Sequence, residues 1–270
     1  MKFAICNEIF TGWQWPAVCA FVKEVGYHGI EIAPFTFAER ITDISSAQRI
    51  EIRRNAEDSG LNIVGLHWLL AKPEGLCINH PDGTVRRKTA DYLMALADFC
   101  ADLGGKVMVF GSPKQRNVHP GLSSEQAWQL ALETFRLVLP HLERQQITLC
   151  LEPLAPQETN FITTAREARE LIQEISHPNF RLHLDVKAMS SEGRPIPEIV
   201  KENADLLGHF HANDPNLGGP GFGEVDFAPI LAALREIGYP GYVSVEVFDF
   251  TPGAETIARE SLRYLRNKER

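Results

Sequence analysis

Four residues capable of acid, base or metal chemistry stand at the ends of short apolar runs. Glu152 closes ITLCLE, Asp185 closes RLHLD, His211 closes LLGHFH, and Glu246 lies within YVSVEV. The intervals of 33, 26 and 35 residues are each about one strand plus one helix. Side chains so spaced fall on successive strands at the same end of a sheet or barrel. Three carboxylates and an imidazole brought together in an apolar setting repel one another and lose solvation. A divalent cation resolves both costs. Oxygen-rich ligation with one histidine suits Mn²⁺, Mg²⁺ or Co²⁺, and Zn²⁺ also fits. Each acid taken alone could equally be a helix cap or an ion-pair partner.

Glu152 and Glu246 would approach a held substrate from different sides. An α-hydroxyketone chelated through carbonyl and hydroxyl has its adjacent C–H acidified, because the metal stabilises the enediolate. One glutamate then removes the proton. Return from the opposite face epimerises the carbon, and return to the neighbouring carbon isomerises ketose to aldose. Expulsion of a β-hydroxyl instead would make the enzyme a dehydratase.

Around these four, His67 at the end of NIVGLH and Glu31 in YHGIEIAP are expected to face the same mouth and bind substrate hydroxyls, or to be satisfied polar residues beside the core. Glu158, in the loop EPLAPQETNF, could bond a ligand hydroxyl or orient a neighbour. Trp13, Trp15 and Trp68 could wall a sugar site or simply pack. His183 and His209, two residues before Asp185 and His211, read as supporting or structural histidines.

The elements that must position these residues are legible from pattern. Strands are expected at Lys2–Cys6, Gly29–Ala33, Asn62–His67, Lys106–Phe110, Ile147–Glu152, Arg181–Asp185, Leu207–His211 and Tyr242–Val247. Amphipathic helices are expected at Trp15–Val25, Ser46–Ser59, Arg87–Leu103, Glu125–Gln145, Ala165–Ile175, Ile196–Asn203, Phe227–Ile237 and Ala254–Arg266. Ser45 with Gln48, Ser123 with Gln126, and Thr164 with Glu167 have capping-box spacing. Gly26, Gly60, Gly104 and Gly238 sit where a left-handed residue would end a helix. Eight strand–helix repeats in 270 residues predict one α/β domain, 1–270, folded as a single (β/α)8 TIM barrel.

Composition excludes several classes. Apolar residues make up 44% and charged residues 23%, enough for a sizeable core. A net charge of −8 argues against nucleic acid as a partner, and no run is apolar enough to predict a membrane span. Five cysteines without a CxxC read as reduced thiols, so a cytoplasmic location is expected. There is no GxGxxG after the first strand and no GxxxxGK[ST], which removes the main support for a nucleotide. The glycine-rich stretch Asp214–Gly223 reads as a loop at the active-site end, and the charged end RNKER as a solvated tail.

With LCLEPLAPQETNF, RLHLDVKAM, HFHANDPN, GFGEVDFAPI and GYVSVEVF, the chain resembles the xylose isomerase-like TIM-barrel superfamily, and within it the sugar phosphate isomerase/epimerase group with the D-tagatose 3-epimerase-like enzymes. The resemblance covers nearly the whole chain. It implies that Glu152, Asp185, His211 and Glu246 bind one divalent metal, that Glu152 and Glu246 are the acid/base pair, and that Glu158 binds substrate. Two departures stand out. The group usually has a histidine three residues after the metal aspartate and an arginine six after the metal histidine; here those positions are Ala188 and Leu217. Lys187 could partly replace the histidine. The resemblance therefore implies a metal-dependent isomerase or epimerase of a ketose or related keto compound. An inosose dehydratase-like lyase and a non-catalytic ligand-binding barrel are the alternatives, and a homodimer or homotetramer is possible. Lys187, Arg86, Lys114, Arg116 and, equally, Lys72 are candidates for a phosphate contact.

Overall fold

The computed structural model describes residues 1–269. Eight parallel strands close on themselves in sequence order: β1 (Lys2–Cys6), β2 (Gly29–Ile32), β3 (Asn62–Leu66), β4 (Val107–Phe110), β5 (Thr148–Leu151), β6 (Phe180–Asp185), β7 (Leu207–Ala212) and β8 (Tyr242–Val245). Pairing of β1 with β8 completes the barrel. Around it run α1 (Trp15–Val25), α2 (Ser46–Asp58), α3 (Gly83–Asp102), α4 (Ser124–Gln145), α5 (Ala165–Ile175), α6 (Val186–Ser190), α7 (Ile196–Glu202), α8 (Phe227–Glu236) and α9 (Ala254–Lys268). The fold is the expected (β/α)8 barrel.

Local chemistry explains the punctuation. Ser45–Gln48 and Ser123–Gln126 form complete reciprocal capping boxes. At α5 only half the expected box forms. Thr164 caps the Glu167 amide, but the Glu167 carboxylate accepts from Thr163 N at 2.6 Å instead of from Thr164. Gly26, Gly60, Gly104 and Gly238 all take positive φ, as their positions after helices require. α3 starts at Gly83, four residues before the expected Arg87, because Asp82 accepts the Thr84 amide at 2.8 Å. The short helix α6 was not expected; Asp185 starts it by accepting the Ala188 amide at 2.8 Å.

Alternation sorts the strand residues into two sets. Ile5, Ile30, Leu149, Leu184, Phe210 and Val243 point outward and join the single core cluster between strands and helices. The inward set is unusual for a barrel interior, which branched apolar residues normally fill. It includes Cys6, Glu31, His183, Asp185, His209, His211 and Ser244, all buried. The register sets their depth, pairing His183 with His209 one layer below Asp185 with His211.

The chain ends are tied down. The N-terminal ammonium pairs with Glu269, and Arg266 donates to the Gly26 carbonyl at 2.7 Å. Residues 266–269 of the charged end therefore dock on the barrel, and Arg270 lies outside the described residues. Among the described residues no helix is long and apolar enough to cross a membrane.

Candidate active site

Three of the expected site residues lie one position beyond their strands yet keep the ladder. His67 N donates to Ile32 O, Glu152 N to Phe110 O, and Glu246 N to Ala212 O. Their backbones are fixed like strand residues, while their side chains reach the C-terminal mouth. There the carboxylates of Glu152, Asp185 and Glu246 offer oxygens within 4.8 Å of one another. His211 joins them through its Nδ1, 3.2 Å from Glu246 Oε2, and shares a second such cluster with Asp185 and His183. All four residues that sequence spacing singled out thus converge. Gly111 makes room for them, because a Cβ there would stand 2.0 Å from Glu152 Oε2.

A cavity of about 250 Å³ opens above the carboxylates. His67, Glu152, Glu158, Lys187 and Glu246 line it, with Trp68 and Phe248 as aromatic walls. Glu158 and Lys187 face each other across it, paired at 2.8 Å, and the Lys187 ammonium lies 4.8 Å from the Phe248 ring centre. Glu31 does not reach the cavity. It is fully buried below His211, its carboxylate 3.1 Å from His211 Nε2 and 2.9 Å from His209 Nε2. It is thus placed to orient an imidazole rather than to meet a substrate hydroxyl.

The electrostatics divide the site in two. On the β5–β6 side, burial first, then Asp185 and Glu246, push the Glu152 carboxyl well above its ordinary range. Burial and Glu246 raise Asp185 to about 6. On the other side burial works against ionisation but loses to histidine. His211 and His67 hold Glu246 low, and His209 and His211 hold Glu31 low. Reciprocally, His211 and His67 are raised despite burial, His211 by Glu31 and Glu246, His67 by Glu8 and Glu246. His183, whose two ring nitrogens have no partner, is pushed down by burial and by His211, so it stays neutral.

The donor set fits a divalent cation. Glu152 and Asp185 have too little positive charge beside them, and a cation held with Glu246 and one nitrogen of His211 would supply it. His211 Nε2–H donating to Glu31 would then fix ring and tautomer, the usual arrangement behind a metal-bound imidazole. A second buried group, Glu8, His67 and Glu246, adjoins the first through the shared Glu246. His67 Nε2 stands 3.0 Å from Glu8 Oε2, but off the line of a hydrogen bond, so neither Glu8 oxygen accepts one.

Two residues, Glu8 and Asn213, escaped the sequence reading, and others named there take different places. Glu8 gave no signal, because the turn after β1 carries it inward. Asn213 stands two residues past His211, on the same face of the chain. It bonds Asp185 Oδ2 with its amide nitrogen and accepts the Lys187 amide at 2.8 Å. Arg116 is fully buried and donates to the carbonyls of Glu152 and Phe110 at 2.6 Å each, tying β4 to β5. It is thus committed to backbone and not free for phosphate. Arg86 is spent on His80 O, Pro81 O and Glu133. Lys114 lines the cavity, whereas Lys72 lies over the Phe35 ring. Trp13 and Trp15 line a different hollow, beside Phe10, Phe35 and Phe37.

A family model described as xylose isomerase-like TIM barrel matches residues 19–268. A D-psicose 3-epimerase of Ruminiclostridium cellulolyticum is 26% identical over 231 residues, covering 84% of this chain and 76% of its own. A 3-dehydro-D-guloside 4-epimerase of Escherichia coli is 24% identical over 98% of this chain and 99% of its own. The fold superposes on a D-psicose 3-epimerase crystallised in the presence of D-fructose with a TM-score of 0.86, at 21% identity and with 100% and 99% of the two chains covered. A 3-keto-D-glucoside 4-epimerase from E. coli superposes with the same score, at 23% identity over 99% of each chain.

Proposed function

The chain belongs to the xylose isomerase-like TIM-barrel family, and from that premise we propose that it is a divalent-metal-dependent epimerase or isomerase of a ketose or a related keto sugar. One observation carries the reading: Glu152 and Glu246, from strands three apart around the barrel, converge beneath one cavity beside Asp185 and His211. The sequence relatives support it, since several are ketose 3-epimerases. One domain, residues 1–270, is proposed to carry the activity, with Glu152, Asp185, His211 and Glu246 as ligands. Mn²⁺ or Mg²⁺ is the proposed ion, on the strength of three carboxylate donors.

When bound, the ion would polarise the ketone and acidify the neighbouring C–H. The remaining work belongs to the chain. Glu246, ionised beside His67 and His211, is the base that takes the carbon-bound proton. Glu152, reaching the cavity from the β5 side, is the group that returns a proton there. Trp68 and Phe248 present ring faces to the apolar side of a sugar and narrow the entrance to water. Glu158 and Lys187 receive hydroxyls of the substrate's far end. The two departures from the family pattern have structural counterparts here. Ala188 N is spent as the amide capped by Asp185, and Leu217 O accepts the amides of Phe248 and Asp249, shaping the aromatic wall.

The test is solvent exchange. Protein loaded with Mn²⁺ is incubated in D₂O with D-fructose, D-psicose and a 3-keto-D-glucoside, and carbon-bound deuterium is followed by NMR. Uptake at the carbon next to the ketone, lost in Glu246→Gln, is expected. Water loss giving an unsaturated ketone would mean a dehydratase. No uptake by metal-loaded protein with any keto sugar would leave a binding barrel.

A further inference from the structure

Trp68 has an unusual backbone at the mouth. Its φ is +53°, whereas the other three tryptophans, Trp13, Trp15 and Trp128, have negative φ. A bulky side chain in the left-handed region is an outlier that the surrounding structure must enforce. The side chain is also 40% exposed, on the wall of the cavity, so burial of the ring does not account for it.

The strained turn has a definite outcome. In extended chain, neighbouring residues point to opposite faces. Here His67 and Trp68 follow one another and yet serve the same atom. His67 Nδ1 lies 3.1 Å and Trp68 Nε1 3.0 Å from Glu246 Oε1. The other oxygen, Oε2, is left to His211 Nδ1 at 3.2 Å. Contacts on both sides fix the indole, with Phe35 at 5.9 Å between ring centres and Phe248 at 6.2 Å.

The two donors differ in kind. An imidazole nitrogen can give or accept a proton, whereas an indole N–H only donates and keeps its proton through any turnover. Two donors on Oε1 also hold the carboxylate plane against rotation, so Oε1 and Oε2 cannot exchange places.

We propose that Trp68 is a positioning residue for Glu246, its indole N–H and the left-handed turn that aims it fixing Oε1 so that Oε2 alone faces the ligand set. The inference rests on the reading of Glu246 as a metal ligand and base. Removing a partner that orients a metal ligand costs about 10- to 100-fold in metal affinity. Trp68→Phe keeps a ring and the backbone but deletes the donor.

Mn²⁺ affinity is measured by calorimetric titration of wild type and Trp68→Phe, with metal-free melting temperatures recorded for both. Affinity at least about tenfold weaker in the variant, at an unchanged melting temperature, is the expected result. Equal affinity, within twofold, overturns the inference while the metal-site reading stands. Wild-type protein that binds no Mn²⁺ overturns the metal-site reading itself and the inference with it. If Trp68→Phe does not fold, ¹⁵N-indole NMR of the wild type decides. The Trp68 signal, assigned by elimination with Trp13→Phe, Trp15→Phe and Trp128→Phe, should exchange slowly with water and shift when Mg²⁺ or Zn²⁺ is added. A rapidly exchanging signal that no divalent ion moves overturns the proposal.

Discussion

The two sides of the barrel mouth solve the same problem in opposite ways. At β5 and β6, Glu152 and Asp185 are buried beside other carboxylates, and their ionised forms are disfavoured. At β8 and β2, Glu246 and Glu31 are buried as deeply, but each has two histidines and stays ionised. The β8–β2 side is neutralised by the protein itself, whereas the β5–β6 side lacks its counter-charge. A site half compensated in this way would keep one carboxylate ionised and hold a cation on its deficient side. Lys187 stands near the deficient side, yet its ammonium is paired with Glu158 and does not replace the cation.

The sharpest way to break this contrast is to exchange the two glutamates' fates. Glu246→Gln and Glu152→Gln should each lower turnover by about 10²–10⁴-fold, as expected for loss of a general base or acid. Only Glu246→Gln should also abolish deuterium uptake from the side where the first proton leaves. Equal retention of exchange in both variants would remove the division of labour.

Glu31→Gln tests the self-neutralised side through stability. It strips the shared counter-charge from His209 and His211, and breaking a buried pair in this way costs about 3–5 kcal/mol. Urea unfolding at neutral pH measures it. A loss below about 1 kcal/mol would mean that the two histidines do not depend on Glu31.

The deficient side makes a pH prediction. Asp185 at about 6 in the folded protein, against an ordinary 3.8, binds its proton more tightly folded than unfolded. Its contribution to metal-free stability is therefore present below pH 4 and is lost as pH rises through 6. A divalent ion needs the ionised form, so the trend with metal runs the other way. The rise in melting temperature on adding Mn²⁺ should grow between pH 5 and 7, with apparent affinity changing about tenfold per pH unit for each proton released. A metal effect flat across that range would place the ion elsewhere.

The smallest effect is expected at the pair across the cavity. Lys187→Met leaves Glu158 partly exposed and unpaired. It should cost about 1 kcal/mol in stability, because Glu158 stays partly open to water, while raising KM more than it lowers kcat. Steady-state kinetics on the substrate found by deuterium exchange separates the two.

Much of this was legible in sequence because it depends on local order. Alternating apolar runs and helix–glycine punctuation fix the order of strands and helices. Ser45 and Ser123 set helix starts through bonds three residues long. A residue at the end of a parallel strand must lie at the barrel's C-terminal face, so Glu152, Asp185, His211 and Glu246 could be grouped from spacing. Period two also puts Glu31 inside the barrel, but it carries no information about depth.

Depth and meeting were left to the tertiary structure. Glu31 lies under His211 because its side chain reaches from β2 across the barrel interior to β7, a relation set by strand tilt and stagger and not by any local pattern. Glu8 meets His67, Trp68 meets Glu246 and Arg116 ties Glu152 to Phe110 across 59, 178 and 36 residues. Only closure of the barrel brings those atoms together. The sequence by itself determined which acids and histidine meet, and at which end of the fold. Packing decided which carboxylates are neutralised by histidine and which await a cation, since that depends on distances between strands that closure alone sets.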